Sequence, residues 1–336
     1  MPPRKVVTVS LKIKTAQLDP NGLCNAGCWY CPVAYQKNPE VGKKNMPISM
    51  LENIVEQLHN GIGTFVDENF HFVYTAHYNE VILYPHFEEM ISIFKKYNFK
   101  TMVLTNGIGL NQSKVDFIKE NQDTILGICL NIPAAEPQLW AKFTNMNEKI
   151  FNRLMSNVEY AYKELPNMVK SSSLSIQVNG MSARSLPENG GWMELLGNGP
   201  DIDLTIGTGD LDRTLGLFRS QFPGMNVYSN ESLVDRAGFL DQQGIMSNSK
   251  AIEKYAKQEK EKVIGCNNMG GRADSWIHVN ANGDLFICCN DYDFNHVFGN
   301  VLENKIKDIW MGDRHKAMIA HTYNTLCTTC SHSVWG

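Results

Sequence analysis

Strand-like and helix-like segments alternate through the first two-thirds of this 336-residue chain, and that alternation leaves few folds open. The spacing predicts strands at Val6–Lys14, Phe70–Thr75, Thr101–Thr105, Ile125–Asn131 and Leu174–Val178. Between them it predicts helices at Ser49–Asn60, His86–Tyr97, Lys114–Glu120 and Glu148–Leu165. In the first helix Leu51, Ile54, Val55 and Leu58 recur at helical spacing, Ser49 and Glu52 read as a capping box, and Gly61 reads as a stop. Strands separated by helices in this way form βα units and a parallel sheet. For a sixth strand two segments compete, Ile202–Ile206 and Val227–Val234, with a helix near Leu211–Phe222.

Beyond about residue 240 the pattern changes. A polar helix leads to Cys266, and Ser275–Asn280 and Leu285–Cys288 then flank Ala281-Asn282-Gly283-Asp284. Asn-Gly between two such segments is a strong hairpin signal. A last amphipathic helix over Lys305–His321 runs into Cys327-Thr-Thr-Cys330. The expected domains are therefore 1–240, an α/β unit, and 241–336, a small α+β unit.

Cysteine placement carries the chemistry. Cys24, Cys28 and Cys31 are spaced Cys-x3-Cys-x2-Cys directly after the first predicted strand, while Cys266, Cys288, Cys289, Cys327 and Cys330 fall in the last quarter. Clusters of this kind in a reducing compartment indicate metal or redox chemistry rather than disulfides. Three thiolates hold three irons of a cubane and leave the fourth open to a ligand. Zinc is the competing reading, but a structural zinc closes its tetrahedron with a fourth ligand, and the next candidate, His59, lies beyond a predicted helix.

With Tyr30 as the aromatic residue, Cys-x3-Cys-x-aromatic-Cys resembles the signature of the radical S-adenosylmethionine (SAM) superfamily. Further segments resemble that family in the expected order. Asn79-Glu80-Val-Ile-Leu-Tyr-Pro85 stands where the family has Gly-Gly-Glu-Pro, with Glu80 at its acidic position. Thr105-Asn106-Gly107 is similar to its Thr-Asn-Gly, Cys129-Leu-Asn131 to its Ser-Leu-Asp, and Gln177-Val-Asn179 to its fifth-strand polar pair. Each ends a predicted strand, the face where barrel active sites sit.

The resemblance implies a partial (β/α)6 TIM-like barrel, with Cys24, Cys28 and Cys31 holding a [4Fe–4S] cluster. It also implies that Tyr30, Asn79, Glu80, Thr105, Asn106, Asn131, Gln177 and Asn179 surround SAM. Gly283-x4-Cys288, Phe298-Gly-Asn-Val301 and Asp308-Ile-Trp310 resemble the SPASM extension, in its shortened twitch form. That implies a second [4Fe–4S] cluster on Cys266, Cys288, Cys327 and Cys330. Strand alternation places Cys288 and Cys289 on opposite faces.

Two further residues are candidates for the reaction. Cys129 shares its strand face with Asn131 and is either a hydrogen-atom donor or a small buried hydrophobe. Arg236, in Asp235-Arg-Ala-Gly238, meets substrate at the domain junction or forms a surface ion pair.

The expected reaction is reductive SAM cleavage followed by hydrogen abstraction from a small-molecule or peptide substrate. The auxiliary cluster accepts an electron, and a flavodoxin- or ferredoxin-type donor supplies the first. A redox-neutral epimerase or peptide modifier is the alternative, and a zinc-stabilised binding protein a more remote one. A net charge of −4 without a basic patch argues against nucleic-acid binding. No apolar run reaches the length of a membrane span, and no secretory signal is visible, so a cytoplasmic location is expected.

Overall fold

The computed structural model describes residues 11–28, 30–31, 44–76, 79–179, 210–229, 237, 262–267, 271–330 and 332–336. The first half runs β1 (Thr15–Leu18), α1 (Ile48–Asn60), β2 (Val73–Tyr74), α2 (Phe87–Lys96), β3 (Thr101–Thr105), α3 (Gln112–Glu120) and β4 (Ile125–Asn131). It continues through α4 (Pro137–Thr144), α5 (Lys149–Glu164), α6 (Pro166–Lys170), β5 (Leu174–Val178), α7 (Asp210–Gln221) and β6 (Asn226–Ser229). The C-terminal part adds β7 (Val263–Cys266), α8 (Arg272–Ser275), β8 (Trp276–Val279), β9 (Asp284–Phe286), β10 (Val297–Asn300), α9 (Ile306–Met311), α10 (Asp313–Tyr323) and β11 (Ser333–Trp335).

Parallel ladders join β3-β4-β5-β6 and β1-β2. The two groups meet where Phe72 bridges Lys100 and the Thr101 hydroxyl donates to the Val73 carbonyl at 2.7 Å. The sheet does not end at β1. β8 pairs with it in parallel, Gln17 opposite His278, and β9 and β10 continue it antiparallel. A hairpin from the last quarter of the chain thus extends the sheet built by the first.

One row of side chains on this sheet, Ala16, Leu18, Val73, Ile277 and Val279, is wholly buried in the main core with Leu51, Ile54 and Val55 of α1. Because successive strand residues face opposite ways, Gln17, Tyr74 and His278 form the opposite row, turned to the barrel interior.

β3, β4 and β5 coincide with the expected strands. Other expectations need correction. Of Val6–Lys14 the described part forms only the Ile13–Val66 bridge, and β1 is the less β-prone Thr-Ala-Gln-Leu that follows. Its neighbours β2 and β8 supply backbone partners on both sides, and pairing outweighs intrinsic propensity. Helix α1 starts after Pro47 with no side-chain cap, and Glu52 pairs instead with Lys96 at 2.7 Å. The helix expected over Lys305–His321 breaks at Gly312, where an added Cβ would lie 2.7 Å from the Asp308 carbonyl oxygen. The sixth strand is β6, which starts one residue before the second candidate segment and overlaps it through Ser229. Ile202–Ile206, the polar helix before Cys266 and Arg236 lie outside the described residues.

Candidate active site

The C-terminal ends of the parallel strands surround a cavity of about 180 Å³. The loop after β1 brings Cys24, Cys28 and Cys31 to it. That loop is held at three points: Cys31 N–H donates to Cys28 O at 2.8 Å, Gly27 N–H to Thr144 O at 2.8 Å, and Glu80 N–H to Leu23 O at 2.7 Å. Burial pushes the Cys24 thiol up to about 12, and the charges of Glu80 and Cys31 add to the rise. Burial raises the Cys28 thiol too, helped by Cys31 and Cys24.

Three mutually repelling, partly buried thiols become thiolates together only around strong positive charge, which is what an iron–sulfur cluster provides. Among the described residues no three His, Cys, Asp or Glu side chains gather on one point as ligands of a single ion do. A cubane gives each thiolate its own iron, and that suits three thiols lining one cavity. The donor set fits the cluster.

All of the other residues expected around SAM line the same cavity: Tyr30 and Asn79, Glu80 and Thr105, Asn106 and Asn131, Gln177 and Asn179. Glu80 is buried at 2% exposure and caps the 3-10 turn Val81–Leu83, accepting from Ile82 N–H at 3.3 Å and from Asn106 N–H at 2.7 Å. Burial raises its carboxyl from 4.5 to about 7 despite these bonds and one from Thr105. Asn106 donates to Asn25 Oδ1 at 2.7 Å and reaches Cys24 Sγ at 3.9 Å, so the third strand end touches the thiol loop. Gly107 follows with φ +78°, where a Cβ would meet Leu154 at 2.6 Å. Only glycine fits that turn. Asn79 donates to Asn21 Oδ1 and Thr75 O, and the Tyr30 hydroxyl donates to Asn131 Oδ1 at 3.2 Å.

Strand parity places Cys129 on the cavity as expected. Its sulfur lies 3.7 Å from Gln177 Oε1 and 3.5 Å from the Tyr228 hydroxyl. Tyr228 carries no sequence signal of its own because two segments compete for the sixth strand, and its register opposite Gln177 becomes visible only once β5 and β6 pair.

The second thiol group assembles from distant segments. β11 pairs with β7, Ser333 opposite Cys266, and the turn Leu326–Thr329 carries Cys327 next to Cys330. Burial pushes the Cys327 thiol up to about 12, with the charges of Cys330 and Cys266 contributing. Asn290 joins the remaining pair: its N–H donates to Cys288 Sγ at 3.5 Å and its side chain to Cys330 Sγ at 3.6 Å.

Cys288 and Cys289 do not face opposite ways as alternation predicts. β9 ends at Phe286 and a turn follows, with Asp291 N–H bonded to Cys288 O. The Cys288 thiol is raised first by a hydrogen bond with Cys289.

Behind this turn, buried Asp291 accepts from His296 at 2.8 Å, and His296 reaches Thr325 at 3.2 Å. The chain tying the Cys288 loop to the Cys327 turn is therefore buried at its Asp291–His296 end and exposed at Thr325. Asp291→Ala is expected to cost about 1–3 kcal/mol by orphaning these donors, measured by denaturant unfolding of the metal-free protein.

Residues 20–184 match the family described as the radical SAM superfamily, and residues 266–331 match the SPASM iron–sulfur cluster-binding domain. This chain belongs to the radical SAM superfamily and carries a C-terminal SPASM domain. It is therefore an enzyme. The first domain implies a [4Fe–4S] cluster and SAM, and the second further iron–sulfur cluster binding.

Among solved structures the chain is similar to BtrN in complex with AdoMet and 2-DOIA, at 15% identity and TM-score 0.54, covering 96% of this chain and 92% of that one. It is similar to native anSMEcpe with bound AdoMet, at 14% identity and TM-score 0.56, covering 94% and 86%. It is also similar to Streptococcus suis SuiB bound to precursor peptide SuiA, at 13% identity and TM-score 0.53, covering 95% and 70%. These likenesses establish the fold, a partial barrel with a SPASM domain. None of the curated proteins matches the chain significantly. No described helix is long and apolar enough to cross a membrane.

Proposed function

We propose that this radical SAM enzyme oxidises its substrate by two electrons, one leaving as an abstracted hydrogen atom and the other passing to a single auxiliary cluster. The observation carrying the proposal is the convergence of two separate thiol sets, one on the SAM-type cavity and one in the C-terminal domain. When bound, the first cluster and SAM supply a 5′-deoxyadenosyl radical.

The chain's own residues bind and orient. Cys24, Cys28 and Cys31 hold the first cluster. Glu80, raised by burial, regains a partner when its carboxylate meets the ammonium of SAM. Asn106, Asn131, Gln177 and Asn179 offer amide donors and acceptors to the ribose and carboxylate, and Tyr30 fixes Asn131. Cys266, Cys288, Cys327 and Cys330 close the auxiliary cluster, so no corner remains open for a small ligand. An external flavodoxin- or ferredoxin-type donor supplies the reducing electron. Thiols kept for cluster binding rather than disulfides fit a reducing, cytoplasmic setting.

Anaerobically reconstituted protein is expected to hold about eight irons with matching sulfide and to release 5′-deoxyadenosine under strong reductant. With substrate deuterated at the reacting carbon, the deuterium appears in 5′-deoxyadenosine and the product is two electrons more oxidised. A product at the substrate's own oxidation level sinks the proposal.

The position of Cys129 on the cavity beside Tyr228 favours a second reading, a redox-neutral epimerase or peptide modifier in which that thiol returns a hydrogen atom. Cys129→Ala separates the two. Under the oxidative reading, turnover stays within about threefold of wild type, because the change removes only a small buried side chain. Under the second, product formation stops while 5′-deoxyadenosine release continues.

A further inference from the structure

We infer that Asn290 raises the reduction potential of the auxiliary cluster by donating hydrogen bonds to the sulfurs of Cys288 and Cys330. It is a positioning residue for the electron acceptor. The inference rests on the proposed function and adds to it how that acceptor is tuned.

The turn after β9 brings the donors to the sulfurs. Asp291 N–H bonds to Cys288 O at 3.0 Å, which curls the backbone so that the Asn290 N–H points back at Cys288 Sγ, 3.5 Å away. The Asn290 side chain crosses to the Cys327 turn and donates from Nδ2 to Cys330 Sγ at 3.6 Å, 40 residues away in sequence. One residue thus serves two of the four expected ligands. The turn is anchored from behind, because the Asp291 carboxylate accepts from the N–H groups of Asn295 at 3.1 Å and His296 at 2.9 Å.

Both contacts suit thiolates on iron better than free thiols. A thiol sulfur is a weak acceptor, whereas a hydrogen bond to an ionised partner is roughly twice as strong as a neutral one. Asn290 is 4% exposed, so its N–H groups act on the sulfurs at low dielectric. Reduction by one electron adds negative charge that the cluster sulfurs share. Donors fixed on those sulfurs therefore stabilise the reduced form more than the oxidised one, and the potential rises.

The first thiol set is equipped differently. There Asn106 donates to Asn25 Oδ1 at 2.7 Å and stands farther from its sulfur, 3.9 Å from Cys24 Sγ. A longer contact leaves that sulfur less stabilised, which suits a cluster that gives an electron to SAM. The closer pair at Cys288 and Cys330 suits a cluster that accepts one.

The test is a redox titration of the reconstituted holoenzyme without substrate, followed by electron paramagnetic resonance with and without SAM. The signal that SAM alters belongs to the first cluster, and the other to the auxiliary cluster. Asn290→Leu keeps the bulk and the backbone N–H but removes the side-chain donor. At the wild-type midpoint its ratio of reduced to oxidised auxiliary cluster is expected to fall about three- to tenfold, tenfold being about 59 mV for one electron. Asn290→Asp, of the same size with oxygen in place of the donor, is expected to lower the ratio at least as far. Asn290→Gln keeps an amide and is expected to recover part of the loss. The potential of the first cluster stays at its wild-type value in all three, which separates tuning from a general loosening of the fold.

A ratio in Asn290→Leu that falls by less than about threefold, or that rises, overturns the inference. Should that variant fail to load its auxiliary irons, Asn290→Asp decides by the same criterion. Loss of those irons in both variants also overturns it, because the side chain then serves assembly and not potential. Product analysis keeps the two ideas apart. A lowered potential in the variants of an enzyme whose product stays at the substrate's oxidation level fails the proposed function and not the role of Asn290. An unmoved potential in the variants of an enzyme that oxidises its substrate fails the role of Asn290 alone.

Discussion

Cys28→Ala is expected to abolish SAM cleavage and to remove about four of about eight irons while the auxiliary set stays loaded. The expected loss is at least about a thousandfold in 5′-deoxyadenosine release, beyond the ten- to hundredfold typical when only an outer-sphere partner of a metal ligand is removed. The reason is geometric as well as chemical. Cys28 lies between Cys24 and Cys31 on one tied-down loop, and its carbonyl accepts from Cys31 N–H. Among the described residues no other thiol lines that cavity except Cys129, which stands on β4. Iron and sulfide counts, together with the electron paramagnetic resonance of the reduced protein, check the prediction. A variant that keeps all its iron and still cleaves SAM would remove the proposed role of the N-terminal thiols.

Glu80→Gln is expected to have the second largest effect, weakening SAM binding by about ten- to a hundredfold. That is the range for losing a charge-assisted hydrogen bond of about 1.5–3 kcal/mol. The same variant carries a pH signature in the cofactor-free protein. The Glu80 carboxyl is raised from 4.5 to about 7 in the folded chain, so the unfolded state ionises first as pH rises. Stability is therefore full below about pH 4.5 and declines up to about pH 7, by on the order of 3 kcal/mol. Denaturant unfolding at pH 5 and pH 8 is expected to differ in the wild type, with Gln removing that contribution. A slope unchanged by the substitution would show that another group titrates. SAM itself should reverse the penalty, because its ammonium favours the ionised carboxylate.

Both variants act on residues that stand out in the amino-acid sequence alone. The thiol triplet is local, since three cysteines within eight residues reach one site almost wherever the loop goes. The strands ending in Thr105, Asn131 and Val178 are legible because buried parallel strands are short β-branched runs bounded by polar turns. The parity of Cys129 and Asn131 follows from the pleat alone. Other features are invisible for a common reason. The start of β1 depends on which segments flank it, and the weak Thr15–Leu18 segment wins because β2 and β8 supply its backbone partners. Alternation fails at Cys288 and Cys289 because the strand stops at Phe286, and the rule holds only while the pleat continues.

What the sequence determined by itself is the chemistry available: three neighbouring thiols after a strand, polar residues at successive strand ends, and a second set of thiols around an Asn-Gly hairpin. Periodicity and spacing express local geometry, so they carry that information without knowledge of the fold. Only the tertiary structure decided which of these groups meet. It paired β8 with β1, set Arg272 beside Gln17, 255 residues away in sequence, and placed Tyr228 against Cys129. Such contacts arise from long-range strand pairing, whose register is selected by burial across the whole sheet and leaves no signature in a short stretch of chain.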